Sequence, residues 1–414
     1  MSQHLSRRHF SLGLAGLGAT ALAGPVRAAV PREGEGESKT LCFVGGYTQH
    51  GPPGISGNGE GIAVFEMERD TGVLTLITTF MDIPSPSFIT LTKDRKFLYA
   101  LSEINDYNAE GDGCITAFAV DTRTGTLAKI NTVGSGGAVP AHLSIHPSGK
   151  YVLVANYVGG CVSVIPIRHD GSLGEATDVV HNTGPRQPER AEDNPQGNFA
   201  VSDHSSAHPH MIGTDPSGRF VLADDAGLDR VYVWTLDEKR GKLIPAKKPY
   251  YNMTPGSAPR HFVFDHSGRM LYNLCEQNSK VVVSKFDPKT GEITFIQSVS
   301  TVTSHFRGST LAAEILISES GKYIYVSNRL GDSLAVFAVG QDGTLILQDE
   351  VWMHADYGRA MMFDPSGNFL FCANQRSDVV TTFRVDRDTG KPRFVHKFTP
   401  VGSPTTFAFM VTDA

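Results

Sequence analysis

The chain has 414 residues, 19% of them charged, with a formal net charge of −6. It carries no lysine/arginine-rich run, which excludes a nucleic-acid footprint. Its five cysteines are odd in number and far apart, which argues against a disulfide framework and against cysteine–histidine zinc spacing.

The N-terminus stands apart from the rest. Ser6-Arg7-Arg8-His9-Phe10-Ser11-Leu12 is a twin-arginine export signature. The apolar stretch Leu12 to Ala23 is too short to span a bilayer comfortably, and Val26-Arg27-Ala28 offers a small-residue cleavage site. Residues 1–28 therefore read as a signal peptide and 29–39 as a flexible lead-in. The twin-arginine export machinery is an expected partner, with a periplasmic or secreted destination. No membrane insertion is expected after signal removal, since no later segment is long and apolar enough.

From residue 40 onward the sequence repeats. The segment AHLSIHPSGKYVLVANYVGGCVSVIPIRHDGSL from Ala141 returns from His210, Arg260, Ala313 and Arg359, and a fainter copy begins at Ser87. Each copy is an apolar run, a D-P-S-G-like turn, a second apolar run, a polar turn and an alternating run. A turn resembling D-x-x-T-G-x-L then opens a fourth strand. A period near fifty residues in an all-strand pattern predicts blades of four antiparallel strands. In the faint copy Arg95 stands where the others have the turn glycine.

Six copies leave both ends over. Leu41–Tyr47, Gly61–Glu66 and the Asp70-Thr71-Gly72-Val73-Leu74 segment read as second, third and fourth strands, and Pro404–Met410 can supply the missing inner one. The prediction is one all-β domain over 40–414, a seven-bladed β-propeller whose ring is closed by N- and C-terminal strands in one blade. An open β-solenoid would need capping repeats with polar outer faces, and neither end resembles one. A monomer is expected. Residues 181–207 form a long polar loop without strand pattern, ending at His208-Pro209-His210; loops of that length in compact domains are commonly functional.

Charge gathers at one register. Eight residues before the turn glycine, the copies carry Ser87, Ala141, His210, Arg260, Ala313 and Arg359; seven before it, Phe88, His142, Met211, His261, Glu314 and Ala360. Eight after it they carry Glu103, Tyr157, Ala226, Glu276, Arg329 and Gln375. Antiparallel pairing puts these positions on the edge of the blade opposite the turn, and the first strand of a propeller blade lines the central channel. Inter-blade ion pairs account for any single member. Charges converging on one concave face, beside the long loop, point to a binding or catalytic site. His204, His208 and His210 have a spacing compatible with a metal site, but no second shell can be read. Gly45-Gly46 and Gly159-Gly160 read as turn glycines, since no helix follows to hold a phosphate. No metal and no cofactor is expected.

The motifs H-P-H-M-x-x-x-D-P-S-G-R-F-V-L with D-x-G-L-D-R-V-Y-V-W (His208 to Trp234), P-R-H-F-x-F (Pro259 to Phe264), C-E-Q-N-S (Cys275 to Ser279) and S-N-R-L-G-D-S-L-A-V-F (Ser327 to Phe337) resemble the seven-bladed propeller lactonases. That family is typified by the bacterial propeller-type 6-phosphogluconolactonase and related to the fungal carboxymuconate lactonizing enzyme. The resemblance covers nearly the whole mature chain. It carries the family's catalytic residues onto His210, Arg260, Glu276 and Arg329, and matches His208 to the first histidine of H-x-H. His208, His142, His261, Glu103 and Arg359 are expected to bind substrate.

What the resemblance implies is a lactonase acting on a small anionic, sugar-acid type lactone; the twin-arginine signature adds export. His210, titrating near neutrality, would be the base. Glu276 would orient it, or act as base were burial to raise its pKa. Arg260 and Arg329 would clamp a carboxylate and the developing oxyanion. A muconate-type lactonizing cycloisomerase using the same groups in reverse, and a non-catalytic sugar- or protein-binding propeller, are the alternatives. This chain departs from the family pattern in its longer approach loop, in Cys275 before Glu276, in Ala312-Ala313-Glu314 where proline–arginine is usual, and in its export signature. These departures bear on the phosphate of the substrate more than on the chemistry.

Overall fold

The computed structural model describes residues 38–49 and 57–413; the expected signal peptide and most of the expected lead-in lie outside them. Seven four-stranded antiparallel sheets make up the described chain. Blade 1 combines the C-terminal strand Pro404–Val411 with Thr40–Gly46, Ile62–Met67 and Leu74–Phe80. Blades 2 to 7 follow in chain order, each running from its inner to its outer strand. Their inner strands are Phe88–Leu91, Pro140–Ile145, Pro209–Thr214, Pro259–Phe264, Leu311–Ile317 and Gly358–Phe363. Each inner strand touches the next, and the last touches Pro404–Val411, which in turn meets Phe88–Leu91, so the ring closes without a free inner edge.

The repeat turns explain themselves chemically. In blade 4, Asp215 Oδ1 accepts from Phe220 N at 2.7 Å and Oδ2 from Ser217 Oγ at 2.5 Å, while Gly218 takes φ +72°. Arg95 adopts the same left-handed backbone, φ +63°, and its guanidinium donates to Val411 O and Asp413, tying blade 2 to the C-terminal strand. Faces of adjacent blades bury seven apolar clusters, one at each junction. That between blades 1 and 2 holds Leu41, Phe43, Leu98, Phe118 and Met410, and that between blades 5 and 6 holds Tyr272, Ile315, Ile324 and Phe337. Junctions are also pinned at the rim: Tyr325 OH of blade 6 donates to Gly390 O of blade 7 at 2.6 Å. All five cysteines are buried in strands and unpaired.

Two details correct the sequence reading. Gly45-Gly46 end a strand rather than form a turn, and a Cβ on either would collide with the backbone of Pro86 or Ser403. His181 closes the outer strand of blade 3 (Asp178–His181), so the long connection covers residues 182–208. That connection is pinned over blades 5 and 6: Asn198 Nδ2 donates to Gln277 O at 3.2 Å and Thr310 O at 3.0 Å.

Candidate active site

Five of the inner strands are irregular at one place. Pairing with the second strand slips between Pro140 and His142, Pro209 and Met211, Pro259 and His261, Ala312 and Ile315, and Gly358 and Ala360. Ala141, His210, Arg260 and Arg359 are the extra residues of four slips, and in the fifth Ala313 and Glu314 together face Ser327. A bulge re-aims the side chain it carries. Here it puts an imidazole, two guanidiniums and a carboxylate onto the axis. Val139, Ala258 and Tyr357, just ahead of three of these strands, hold left-handed backbones with φ of +52°, +56° and +68°. Such outliers cluster where function fixes the chain.

A small cavity lies on the axis, and every blade supplies part of its wall. Thr405, Glu103, Ala141, His210, Arg260, Glu314 and Arg359 come from blades 1 to 7 in turn, with His261 beside Arg260. His210, Arg260, His261, Glu103 and Arg359 thus meet as the sequence register requires. Glu276 and Arg329 join them through Arg260. Arg329 Nη2 donates to Glu276 Oε2 at 2.5 Å, and Arg260 Nε lies 3.1 Å from the same oxygen. Burial alone would raise the Glu276 carboxyl; Arg329 and Arg260 outweigh it and hold it at about 2.

Glu276 is therefore held as an anion between two arginines, which makes it a poor proton acceptor at neutral pH, and no hydrogen bond joins it to His210 among the described residues. The expected titration of His210 near neutrality is corrected as well. Burial, then Arg260 and His261, push its pKa well below the usual value, so the ring stays neutral. Its Nδ1 is buried without a partner among the described residues. The ring packs edge-on to Tyr157 and His261, with centroids 5.7 and 5.1 Å away.

The remaining assignments divide. His142 contacts Phe88 (4.2 Å) and His261 (5.6 Å) through its ring and is also held neutral, first by burial. His208 lies behind the site: its ring stacks on Tyr157 at 4.6 Å, Nδ1 meets Tyr157 O at 2.9 Å, and Nε2 lies 3.3 Å from Asp203 of the long loop. His204 faces away toward Asp229, 3.4 Å off. The three histidines of the loop region thus serve different partners and do not converge on a metal. Among the described residues no cluster of three such ligands is found.

Four further residues belong to the site and were not singled out from sequence. Ser202 of the loop donates to Glu276 Oε1 at 2.9 Å. Tyr47 donates to Glu103 Oε2 at 2.9 Å. Tyr357 accepts from Arg329 Nη1 at 3.3 Å, and Arg329, then Arg359, lower its phenol pKa. Glu314 accepts from His261 Nδ1 at 2.8 Å. Only Glu314 left a sequence trace, as a member of the register seven before the turn glycine.

The fold and site define a closed seven-bladed propeller whose axial mouth gathers arginines, carboxylates and neutral imidazoles. The comparisons identify the group: residues 41–409 match the family model "Lactonase, 7-bladed beta-propeller". The chain belongs to that family and is by class a lactonase, a carboxylic ester hydrolase. It is 29% identical to the 6-phosphogluconolactonase of Bacillus subtilis, covering 90% of this chain and 99% of that one. It is also 29% identical to the 6-phosphogluconolactonase of Formosa agariphila, over 84% and 93%. The solved structure of the Pseudomonas aeruginosa periplasmic gluconolactonase superposes with a TM-score of 0.78 at 27% identity, covering 91% of this chain and all of that one.

Proposed function

We propose that the chain hydrolyses a small anionic lactone of the sugar-acid type, in the manner of a 6-phosphogluconolactonase, with the axial cavity as the site. One observation carries this reading: the guanidiniums of Arg260 and Arg359 line the cavity, and Arg329 joins Arg260 on one carboxylate, Glu276. These guanidiniums suit an anionic substrate and the oxyanion of ester hydrolysis.

Arg359 is the natural anchor. It makes no hydrogen bond among the described residues, and its nearest carboxylate oxygen, on Glu103, is 4.0 Å away. Arg260 and Arg329, fixed by Glu276, supply preorganised donors. Neutral His210 offers its unpartnered Nδ1 to substrate or water.

Two features support export by the twin-arginine route, with residues 1–28 removed and 29–39 as lead-in. They are the Ser6-to-Leu12 signature and the periplasmic relative. No helix among the described residues is long and apolar enough to cross a membrane.

Assay of the chain lacking residues 1–28 on aldonolactones with and without a phosphate tests the reading. Arg260→Ala should lower turnover about 100- to 1000-fold, the usual loss for one oxyanion donor. Wild-type-like turnover removes Arg260 from the site, and inertness of the unsubstituted protein toward the whole panel removes the reaction.

A further inference from the structure

We propose that Glu314 is the general base that activates the hydrolytic water. The proposal rests on the hydrolytic reading above and adds the group that reading lacks. Glu276 is committed to two arginines and His210 is surrounded by cations, so neither is well suited to accept a proton at neutral pH.

Glu314 differs from the other two axial carboxylates in its partners. Glu276 and Glu103 face guanidiniums. Glu314 Oε1 accepts from His261 Nδ1 at 2.8 Å and from Ile315 N at 3.1 Å. Oε2 makes no hydrogen bond among the described residues, and the side chain, 13% exposed, lines the cavity. The backbone holds it there: in this bulge Ala313 and Glu314 together face the single residue Ser327. Its own N–H is bound by Ser327 Oγ at 3.0 Å.

The neighbour fixes the chemistry. Arg260 Nη1 lies 3.3 Å from His261 Nε2. A guanidinium only donates, so Nε2 accepts and the ring proton sits on Nδ1, aimed at Glu314. His261 therefore orients Glu314 Oε1 and leaves Oε2 for water. Burial is the largest influence on Glu314 and lifts its carboxyl to about 7, against the pull of Arg260, His142 and Arg359. A base poised near the working pH is the most effective kind.

The step balances. Oε2 takes one proton from water as the water oxygen bonds to the lactone carbonyl carbon. The carbonyl π pair moves onto its oxygen, facing the arginines. On collapse the ring C–O bond breaks, and the departing alkoxide takes back the proton held by Glu314. The acid formed then ionises to solvent.

The test uses pH–rate profiles on two lactones, since 6-phosphogluconolactone carries a phosphate that titrates near about 6 and D-glucono-1,5-lactone carries no titratable group. For the wild-type protein, kcat/KM should fall below an acid limb near pH 7 at the same position for both. Glu314→Gln should lower kcat about 100-fold or more, leave KM within a few-fold and abolish the limb; Glu314→Asp should restore part of the rate with a limb. Glu314→Gln turnover within threefold of wild type, with the limb unmoved, overturns the assignment while Arg260→Ala still reports on the reaction itself. Should Glu314→Gln not fold, the wild-type profile decides: no limb between pH 6 and 8 on the uncharged lactone overturns it.

Discussion

Arg329 Nη2 and Glu276 Oε2 meet at 2.5 Å across the junction of blades 5 and 6, and Arg260 stands 3.1 Å from the same oxygen. One carboxylate thus serves two guanidiniums, each almost wholly buried. Removing it leaves two like charges facing each other in a poorly hydrated place. Breaking a buried pair in this way typically costs about 3–5 kcal/mol. Glu276→Gln should lower stability by that order in denaturant titration, and abolish turnover, because both arginines lose their fixed positions. A variant with native stability would show that the triad adds nothing to the fold.

Arg359 is expected to act on substrate with little effect on the fold, since it is held by one distant carboxylate and the Tyr47 ring beneath it. Arg359→Ala should lower kcat/KM by about 100-fold or more with little change in melting temperature. Arg359→Lys should recover only part of this, as an ammonium cannot present a planar fork. Steady-state kinetics beside a thermal melt distinguishes this from a structural role.

The buried histidines should disfavour the fold on mild acidification. His142, His210 and His261 are all pushed well below the usual imidazole value, 6.5, chiefly by burial. Below 6.5 the unfolded chain binds protons that the folded ring refuses, so stability drops as pH falls, by up to about 1.4 kcal/mol per histidine per unit. Glu314 acts oppositely. Raised from 4.5 to about 7, it keeps a proton in the folded state that the unfolded chain loses, so its contribution declines as pH rises between those values. Glu103, Asp224 and Asp225 are likewise raised by burial and act in the same sense as Glu314, so the histidine contribution is read by difference. Between pH 7.5 and 5 the melting temperature of His142→Asn should lose less than that of the wild type; parallel curves would contradict neutral burial of that ring.

The long loop should depend on one amide. Asn198 donates to Gln277 O and Thr310 O, and accepts from Thr310 N at 3.3 Å and Ala200 N at 3.2 Å. Asn198→Ala strands these buried backbone groups at a cost of about 1–3 kcal/mol. Limited proteolysis should then cut within residues 182–208 faster than in the wild type, and KM should rise because Ser202 no longer steadies Glu276. Unchanged cleavage would mean that the loop is held elsewhere.

Ring closure should depend on the last strand. Pro404–Val411 supplies the inner strand of blade 1 and contacts its neighbours on both sides. A chain ending at residue 403 exposes two apolar junctions, including Phe43 and Phe371, and should fail to unfold cooperatively by calorimetry.

Much of this architecture could be read before any coordinate. The turn motif recurs at a fixed distance from apolar runs of period two, which sets four strands per blade, and the unmatched ends set the closure, because a strand with unpaired edges needs a partner. The register of His210, Arg260, Glu276 and Arg329 followed from the same arithmetic, since a repeat carries each position to an equivalent place around the axis. Even Arg95 was marked as the turn residue, though not that it would take the left-handed backbone of the glycines it replaces.

The roles of those residues were decided only in three dimensions. A pKa depends on what surrounds a group after folding: Arg329 reaches Glu276 from the next blade and Arg260 from the inner strand of its own, while Tyr157 and His261 reach His210 from the blades on either side. Two arginines turned one from a possible base into a fixed anion, and burial among cations held the other neutral. Sequence patterning also assumes regular pairing, so it could not foresee the slip at Ala312–Ile315 that places Glu314 at the cavity. The repeat determined which side chains reach the axis; the packing of seven blades decided which of them keep a charge there.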